Sequence, residues 1–239
     1  MLNKIFRKLI TQDINASSAP EAILEEKDTV NIHPVFTRYD IINKLIEKFG
    51  YKTYLEIGVR NPEECFNFIV CETKHGVDPG AEGDYKVDFK MTSDEFFAQN
   101  TFKYDIIFID GLHIDEQVSR DISNALKSIT DNGTVMLHDC NPPTLHHARE
   151  DYYDFNTPAR DYWNGTVWKA IVDFRASGLA DTHSCHVVNT DWGVGIIRKS
   201  QTGCRITNDN PFYAFRKFEQ NREQYLGLIS LQAFHEMYT

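Results

Sequence analysis

Apolar residues recur along this chain in two alternating rhythms, one helical and one of short continuous runs. In "TRYDIINKLIEKF", residues 37 to 49, Ile41, Ile42, Leu45 and Ile46 stand at helical spacing, and Gly50 follows as a stop signal. The next apolar runs are short. "KTYLEIGV" predicts a strand ending near Gly58, and "KHGVDPG" a second strand reaching Asp78. Between them "NPEECFNFIV" predicts a helix, because Asn61 can cap it, Pro62 suits its first position, and Glu63 and Glu64 favour a first turn. "KVDFKM" predicts a third strand, and "TSDEFFAQ" a helix opened by a Thr or Ser cap.

In "YDIIFID" the consecutive Ile106, Ile107, Phe108 and Ile109 predict a fourth strand buried on both faces. A helix follows, with Val118, Ile122, Ala125, Leu126 and Ile129 on one stripe, and "DNGT" turns the chain into a fifth strand, "TVMLHD". Strands and helices thus alternate with crossovers long enough for right-handed units. The expected class is α/β, a doubly wound, mostly parallel sheet. After Asp139 the rhythm stops, and residues 141–165 form an aromatic-rich insertion. "TVWKAIVDFRASG" resumes as a helix, and "SCHVVNT" and "WGVGIIRK" predict an antiparallel β-hairpin that closes the sheet. The expected organisation is an N-terminal helix and connector over 1–35, a main domain over 36–200, and a helical extension over 201–239.

Charge and cysteine content narrow the setting. A net charge of −10 argues against a nucleic-acid partner, since phosphate binding needs a basic surface. Five cysteines without a CxxC pair read as free thiols, which points to a reducing cytoplasm. No apolar run approaches the roughly 20 residues of a membrane span. The opening "MLNKIFRKLI" is basic and amphipathic and lacks a signal peptide's continuous apolar core. Docking on the protein's own body or on a partner subunit is the favoured reading over membrane-surface contact. Amphipathic helices at both termini leave a homo-oligomer open.

In an open parallel sheet, ligands bind at the C-terminal ends of the strands. Those ends carry Glu56 and Gly58, then Asp78, then Thr92 to Asp94, then Asp110 and His113, then His138 and Asp139. Each alone is explained by a turn or cap; the series on one edge is not. Asp78 lies 22 positions after Glu56, the spacing of a nucleoside-binding βαβ unit. A full GxGxxG is absent, which counts against a dinucleotide such as NAD.

"YLEIGV", "GVDP", "MTSDEFF", "YDIIFIDGLHIDEQVSRDI" and "GTVMLHDCNP" together resemble the successive motifs of class I S-adenosylmethionine-dependent methyltransferases. The chain is most similar to a bacterial branch with D-G-x-H and H-D motifs, which resembles metal-dependent sugar O-methyltransferases. The resemblance implies that Glu56 and Gly58 lie beside the methionine part of the cofactor, that Asp78 holds the ribose hydroxyls, and that Ser93 or Asp94 lies at the adenine. It also implies Asp110 and Asp139 as ligands of Mg²⁺ and His113 as the base. Catechol-type relatives place an asparagine directly after the second aspartate. Here Cys140 stands there, and cysteine is a poor partner for Mg²⁺, so the site would need Asn141, water or substrate oxygens to complete it.

Those residue types suit methyl transfer to oxygen. The displacement is in line, so donor and acceptor must be aligned. A hard cation held by carboxylates lowers the pKa of an acceptor hydroxyl, and an imidazole near neutrality takes its proton. The expected acceptor is a saccharide or small-molecule hydroxyl. In the insertion, His146, His147, Tyr152, Tyr153, Tyr162 and Trp163, with Trp168 just beyond, offer flat faces for it, or else pack a lid or dimer contact. Trp192 reads as core.

The loop "VRNPEEC" departs from the resemblance, because Arg60, Asn61 and Pro62 replace further glycines. Arg60 is a candidate partner for the cofactor's carboxylate. Two other classes stay open: a non-catalytic binding protein of methyltransferase fold, which that loop favours, and a metal-dependent hydrolase using D-x-x-H and H-D as ligands.

Overall fold

The computed structural model describes residues 36–238, so the expectations for 1–35 lie outside the described residues. Helix α1 runs Arg38–Phe49; Asp40 accepts the Thr37 N–H at 2.8 Å, and Gly50 closes the helix at φ +65°. Its apolar stripe, Ile41, Ile42 and Leu45, is fully buried.

Seven strands form one sheet: β1 (Thr53–Ile57), β2 (Thr73–Val77), β3 (Tyr104–Ile109), β4 (Ile129–Leu137), β5 (His183–Val188), β6 (Val194–Lys199) and β7 (Leu228–Ile229), in the order β2-β1-β3-β4-β6-β5-β7. Strands β1 to β4 pair in parallel, β6 runs against both β4 and β5, and β7 lies parallel to β5. The mostly parallel, doubly wound sheet with its antiparallel hairpin is therefore present.

The apolar runs make sense as strands covered on both sides. Ile107, Ile109, Val135 and Leu137 pack with α3 (Asp115–Ser128), which follows the short α2 (Ser93–Gln99), and with α4 (Val167–Ala176), whereas Ile106, Phe108 and Met136 pack with α1 and α7 (Leu231–Tyr238). A slip of one residue would exchange the two layers along a whole strand, so burial of this kind fixes the register. Strands β1 to β4 all end on one edge, where the expected polar residues sit.

The structure differs from the sequence expectations in four places. "NPEECFNFIV" forms two 3₁₀ turns, Pro62–Glu64 and Phe66–Phe68, broken at Cys65, whose φ of −150° leaves the helical region. The expected third strand is reduced to one bridge between Val77 and Phe89, because the Asp88 side chain takes the Gly76 N–H at 2.8 Å. The "DNGT" residues lie within β4, where the register against β3 shifts between Tyr104 and Ile106. The segment after 200 contributes α5 (Phe215–Gln220), α6 (Arg222–Leu226), strand β7 and α7, so the sheet continues beyond the expected boundary. Helix α7 lays Phe234 and Tyr238 into the layer of α1. Among the described residues, no helix is long and apolar enough to cross a membrane.

Candidate active site

The ends of β1 and β3 meet at Gly58. Its φ is +88°, and a Cβ there would lie 2.3 Å from the Asp110 carbonyl oxygen. The glycine is thus required by the approach of Asp110–Gly111, which sets the Asp110 backbone against the end of β1. Glu56 is 1% exposed and accepts a hydrogen bond from the Tyr54 hydroxyl. Burial pushes its carboxyl up to about 8; the Tyr54 bond opposes this and the Asp110 charge adds to it. Asp78 accepts the backbone N–H of Arg60 at 2.8 Å and of Gly80 at 2.6 Å, tying together the loops after β1 and β2. The Arg60 guanidinium is engaged by Glu64 and Glu82.

Beside this pair lies a cluster of acids and histidines. His113 Nε2 is 3.3 Å from Asp110 Oδ1 and 3.5 Å from Asp139 Oδ2, and His138 Nδ1 is 3.4 and 3.1 Å from the same two oxygens. Burial alone would raise the Asp110 carboxyl, but His138, His113 and Arg38 outweigh it and hold it well below the usual carboxylate range. Burial lowers both histidines; the facing carboxylates outweigh that and raise both above an ordinary imidazole. The other ring nitrogen of His113, Nδ1, stands 3.1 Å from the Trp163 carbonyl. A carbonyl only accepts, so Nδ1 carries a proton and Nε2 faces the two carboxylates.

Three residues of this centre were not singled out from sequence. Arg38, at the start of α1, places Nε 3.8 Å from Asp110 and Nη1 3.4 Å from Asp191. Asp191, in the β5–β6 turn, accepts the Arg38 backbone N–H at 2.8 Å and lies 3.5 Å from His138 Nε2. Burial raises its carboxyl, yet His138 and Arg38 pull it down to about 2. Asn164, in the insertion, donates to Asp139 Oδ1 at 2.7 Å.

Ser93 lines the pocket, whereas Asp94 pairs outward with Arg120 at 3.5 Å. Asn141 stands outside the cluster, a correction to its expected place. The left-handed Asp139, at φ +57°, turns the chain so that the Asn141 carboxamide meets Arg222 and Asn189. Trp168 is buried in the core, 4.2 Å from Phe218 between ring centroids, and offers no face to a ligand. Trp192, expected in the core, instead lines the pocket and stacks on Tyr162 at 5.4 Å.

The pocket is a cavity of about 540 Å³ over the strand ends, with Glu56, Gly58, Asp78 and Ser93 on one side and Asp110, His113 and Asp139 at its floor. Tyr152, Tyr162, Trp163 and Trp192 supply an aromatic wall. The Trp163 ring stacks on the His113 imidazole at 5.0 Å. Asp110, His113 and Asp139 each offer one ligand atom, and these atoms lie within 4.8 Å of one another. A lone pair on Nε2 facing two carboxylates calls for positive charge between them, as a proton or a cation. Two carboxylates suit a hard divalent cation, Mg²⁺ or Mn²⁺, and such a cation held by them alone leaves Nε2 free to accept a proton.

Residues 73–140 match the family model described as a methyltransferase domain. No curated protein sequence matches the chain. Similar solved structures include an O-methyltransferase from Bacillus cereus in complex with SAH, at 13% identity, TM-score 0.44, and coverage of 72% of this chain and 84% of that one. They also include an SAH-bound methyltransferase from Podospora anserina, at 16% identity, TM-score 0.46, and coverage of 66% and 76%. A third is the MycE methyltransferase of the mycinamycin biosynthetic pathway with Mg, SAH and mycinamycin VI, at 15% identity, TM-score 0.42, and coverage of 73% and 57%. The segment matched by the family model runs from β2 through Asp110 and His113 to Cys140, so the part of the chain that is similar to a methyltransferase domain contains the acid–histidine centre.

Proposed function

We propose that the protein transfers the methyl group of S-adenosylmethionine to a hydroxyl oxygen of an uncharged small molecule, foremost a saccharide ring. The observation that carries this reading is His113 Nε2, held within 3.5 Å of two carboxylates at the floor of a pocket large enough for cofactor and acceptor. In the reaction the oxygen–methyl bond forms as the sulfur–methyl bond breaks, and the acceptor's proton passes to His113 Nε2. Asp110 and Asp139 orient the imidazolium so formed and stabilise its charge. Where a divalent cation such as Mg²⁺ binds, Asp110 and Asp139 hold it, and it lowers the pKa of the acceptor hydroxyl. Glu56 and Gly58 take the methionine end of the cofactor, Asp78 the ribose, and Ser93 the adenine side.

Wall charge supports a neutral acceptor. Besides the protonated Glu56, the pocket walls set Arg38, Arg60 and the imidazoles of His113 and His138 against Glu64, Asp78, Glu82, Asp110, Asp139 and Asp161, so carboxylates still outnumber cationic groups. A phosphorylated or carboxylated acceptor would enter against that excess of negative charge. The aromatic wall offers the flat apolar faces against which a sugar ring packs.

The test is thermal stability with S-adenosylhomocysteine, in the presence of Mg²⁺ or EDTA, followed by transfer of labelled methyl to a panel of glycosides. A ligand at 100 times its Kd adds about 2.7 kcal/mol of stability, a clear rise in the midpoint. No response to millimolar S-adenosylhomocysteine would sink the proposal. Label appearing only on anionic acceptors would remove the neutral-acceptor part.

A further inference from the structure

We propose that Asn164 is a positioning residue of the reaction centre, fixing the direction in which Asp139 presents its second oxygen. The inference rests on the functional reading above and adds a residue from the irregular insertion. Asn164 is fully buried, and its Nδ2 donates to Asp139 Oδ1 at 2.7 Å. With that oxygen occupied, Oδ2 turns to His113 Nε2 at 3.5 Å and His138 Nδ1 at 3.1 Å. Asn164 does not line the pocket, so it acts through Asp139 and not on a ligand.

Two observations separate this role from plain packing. Asp139 sits in left-handed backbone at φ +57°, and strained residues persist where their surroundings over-determine them. Moreover, the Asn164 Oδ1 is buried without a hydrogen-bond partner. A hydrocarbon side chain of that volume would remove an orphaned acceptor, so stability alone is a poor reason for an amide here.

The adjoining residues hold Asn164 in place and grip His113. Asn164 and Gly165 both donate their N–H to the His147 carbonyl, at 3.0 and 3.1 Å. Trp163 supplies the carbonyl facing His113 Nδ1, and Thr166 donates its N–H to the His113 carbonyl at 2.8 Å. Gly165, at φ +59°, packs so closely that a Cβ would lie 2.0 Å from the His113 carbonyl oxygen. Four consecutive residues thereby set both the base and the second carboxylate, as outer partners do for ligands of a metal.

The experiment compares wild type with Asn164→Leu, which keeps the volume, and with Asn164→Ala. Mn²⁺ affinity is read by electron paramagnetic resonance, S-adenosylhomocysteine affinity by calorimetry, and turnover as kcat and KM. Both variants are expected to lose about 10- to 100-fold in Mn²⁺ affinity and in kcat. Acceptor KM, S-adenosylhomocysteine affinity and, for the leucine variant, the thermal midpoint stay at wild-type values. Wild-type Mn²⁺ affinity and kcat in both variants overturn the proposal, as does a loss matched by equal losses in cofactor affinity and midpoint. A wild type that binds neither S-adenosylhomocysteine nor Mn²⁺ overturns the functional reading and the proposal with it. A wild type that binds both, beside unchanged variants, overturns the proposal alone.

Discussion

Glu56→Gln should stabilise this protein at neutral pH while weakening its hold on the cofactor. The folded protein keeps the Glu56 carboxyl protonated up to about pH 8, because burial disfavours its charge, whereas an ordinary glutamate titrates near 4.5. Between those values the folded state binds more protons than the unfolded state, so stability falls as pH rises. Below about 4.5 both states are protonated and the group contributes no pH dependence. At pH 7 the gap from 4.5 is 2.5, and about 1.4 kcal/mol per pH unit gives a penalty on the order of 3 kcal/mol. Glutamine has the same shape, carries no charge at any pH, and can still accept from the Tyr54 hydroxyl.

Urea unfolding of both proteins at pH 5 and pH 7 reads the effect directly. The variant's advantage should grow by a few kcal/mol between the two pH values, a large fraction of a domain's total stability. A constant difference between wild type and variant across that range would refute the buried, protonated assignment. Calorimetry with S-adenosylhomocysteine supplies the other half. If Glu56 ionises against the cationic amino group, binding releases a proton below pH 8, and the variant loses both that proton and affinity.

Further outcomes follow from the reaction centre and its supports. His113→Ala should cut methyl transfer by roughly 10²- to 10⁴-fold and leave S-adenosylhomocysteine binding intact; equal turnover would remove His113 from the base role. Because the facing carboxylates raise this imidazole, the ascending limb of kcat/KM should lie above pH 6.5, and a limb below it would contradict the raised value. Gly58→Ala forces a Cβ to within 2.3 Å of the Asp110 carbonyl at φ +88°, and should destabilise by about 2 kcal/mol or more in urea. Arg149 donates to the carbonyls of His146, Asp151, Tyr152, Arg160 and Tyr162, a fork that lysine does not reproduce. Arg149→Lys should therefore raise acceptor KM severalfold, with cofactor affinity unchanged, in steady-state kinetics.

The regular half of the molecule was legible because its burial is two-sided and local. Consecutive apolar residues such as Ile106 to Ile109 have few other homes, and the strand-end rule then places Glu56, Gly58, Asp78, Asp110 and Asp139 on one edge. What escaped the sequence was long-range. Arg38 meets Asp191 only because the start of α1 abuts the β5–β6 turn, and no periodicity links positions 153 apart. Asn141 misled through adjacency: spacing puts it beside Asp139, but a left-handed residue between strand and loop sends its side chain to Arg222. "KVDFKM" alternates like a strand, yet a side chain took the ladder position that a backbone would have filled.

Glu56 and Asp110 end adjacent strands, and their environments drive them in opposite directions. Glu56 has only neutral hydrogen-bond partners among the described residues, the Tyr54 phenol and the Cys65 thiol, with the guanidinium of Arg38 and the opposing charge of Asp110 at longer range, so burial wins and the proton stays. Asp110 is largely enclosed too, but two imidazoles and a guanidinium reach it, and it stays ionised. A site that divides neighbouring carboxyls in this way assigns them different work. The ionised one can orient His113 and hold positive charge at the reacting oxygen. The neutral one costs stability until a cationic group arrives, and the amino end of S-adenosylmethionine is such a group. Retention of that cost in a strand otherwise filled by Tyr54, Leu55 and Ile57 is hard to explain by folding alone.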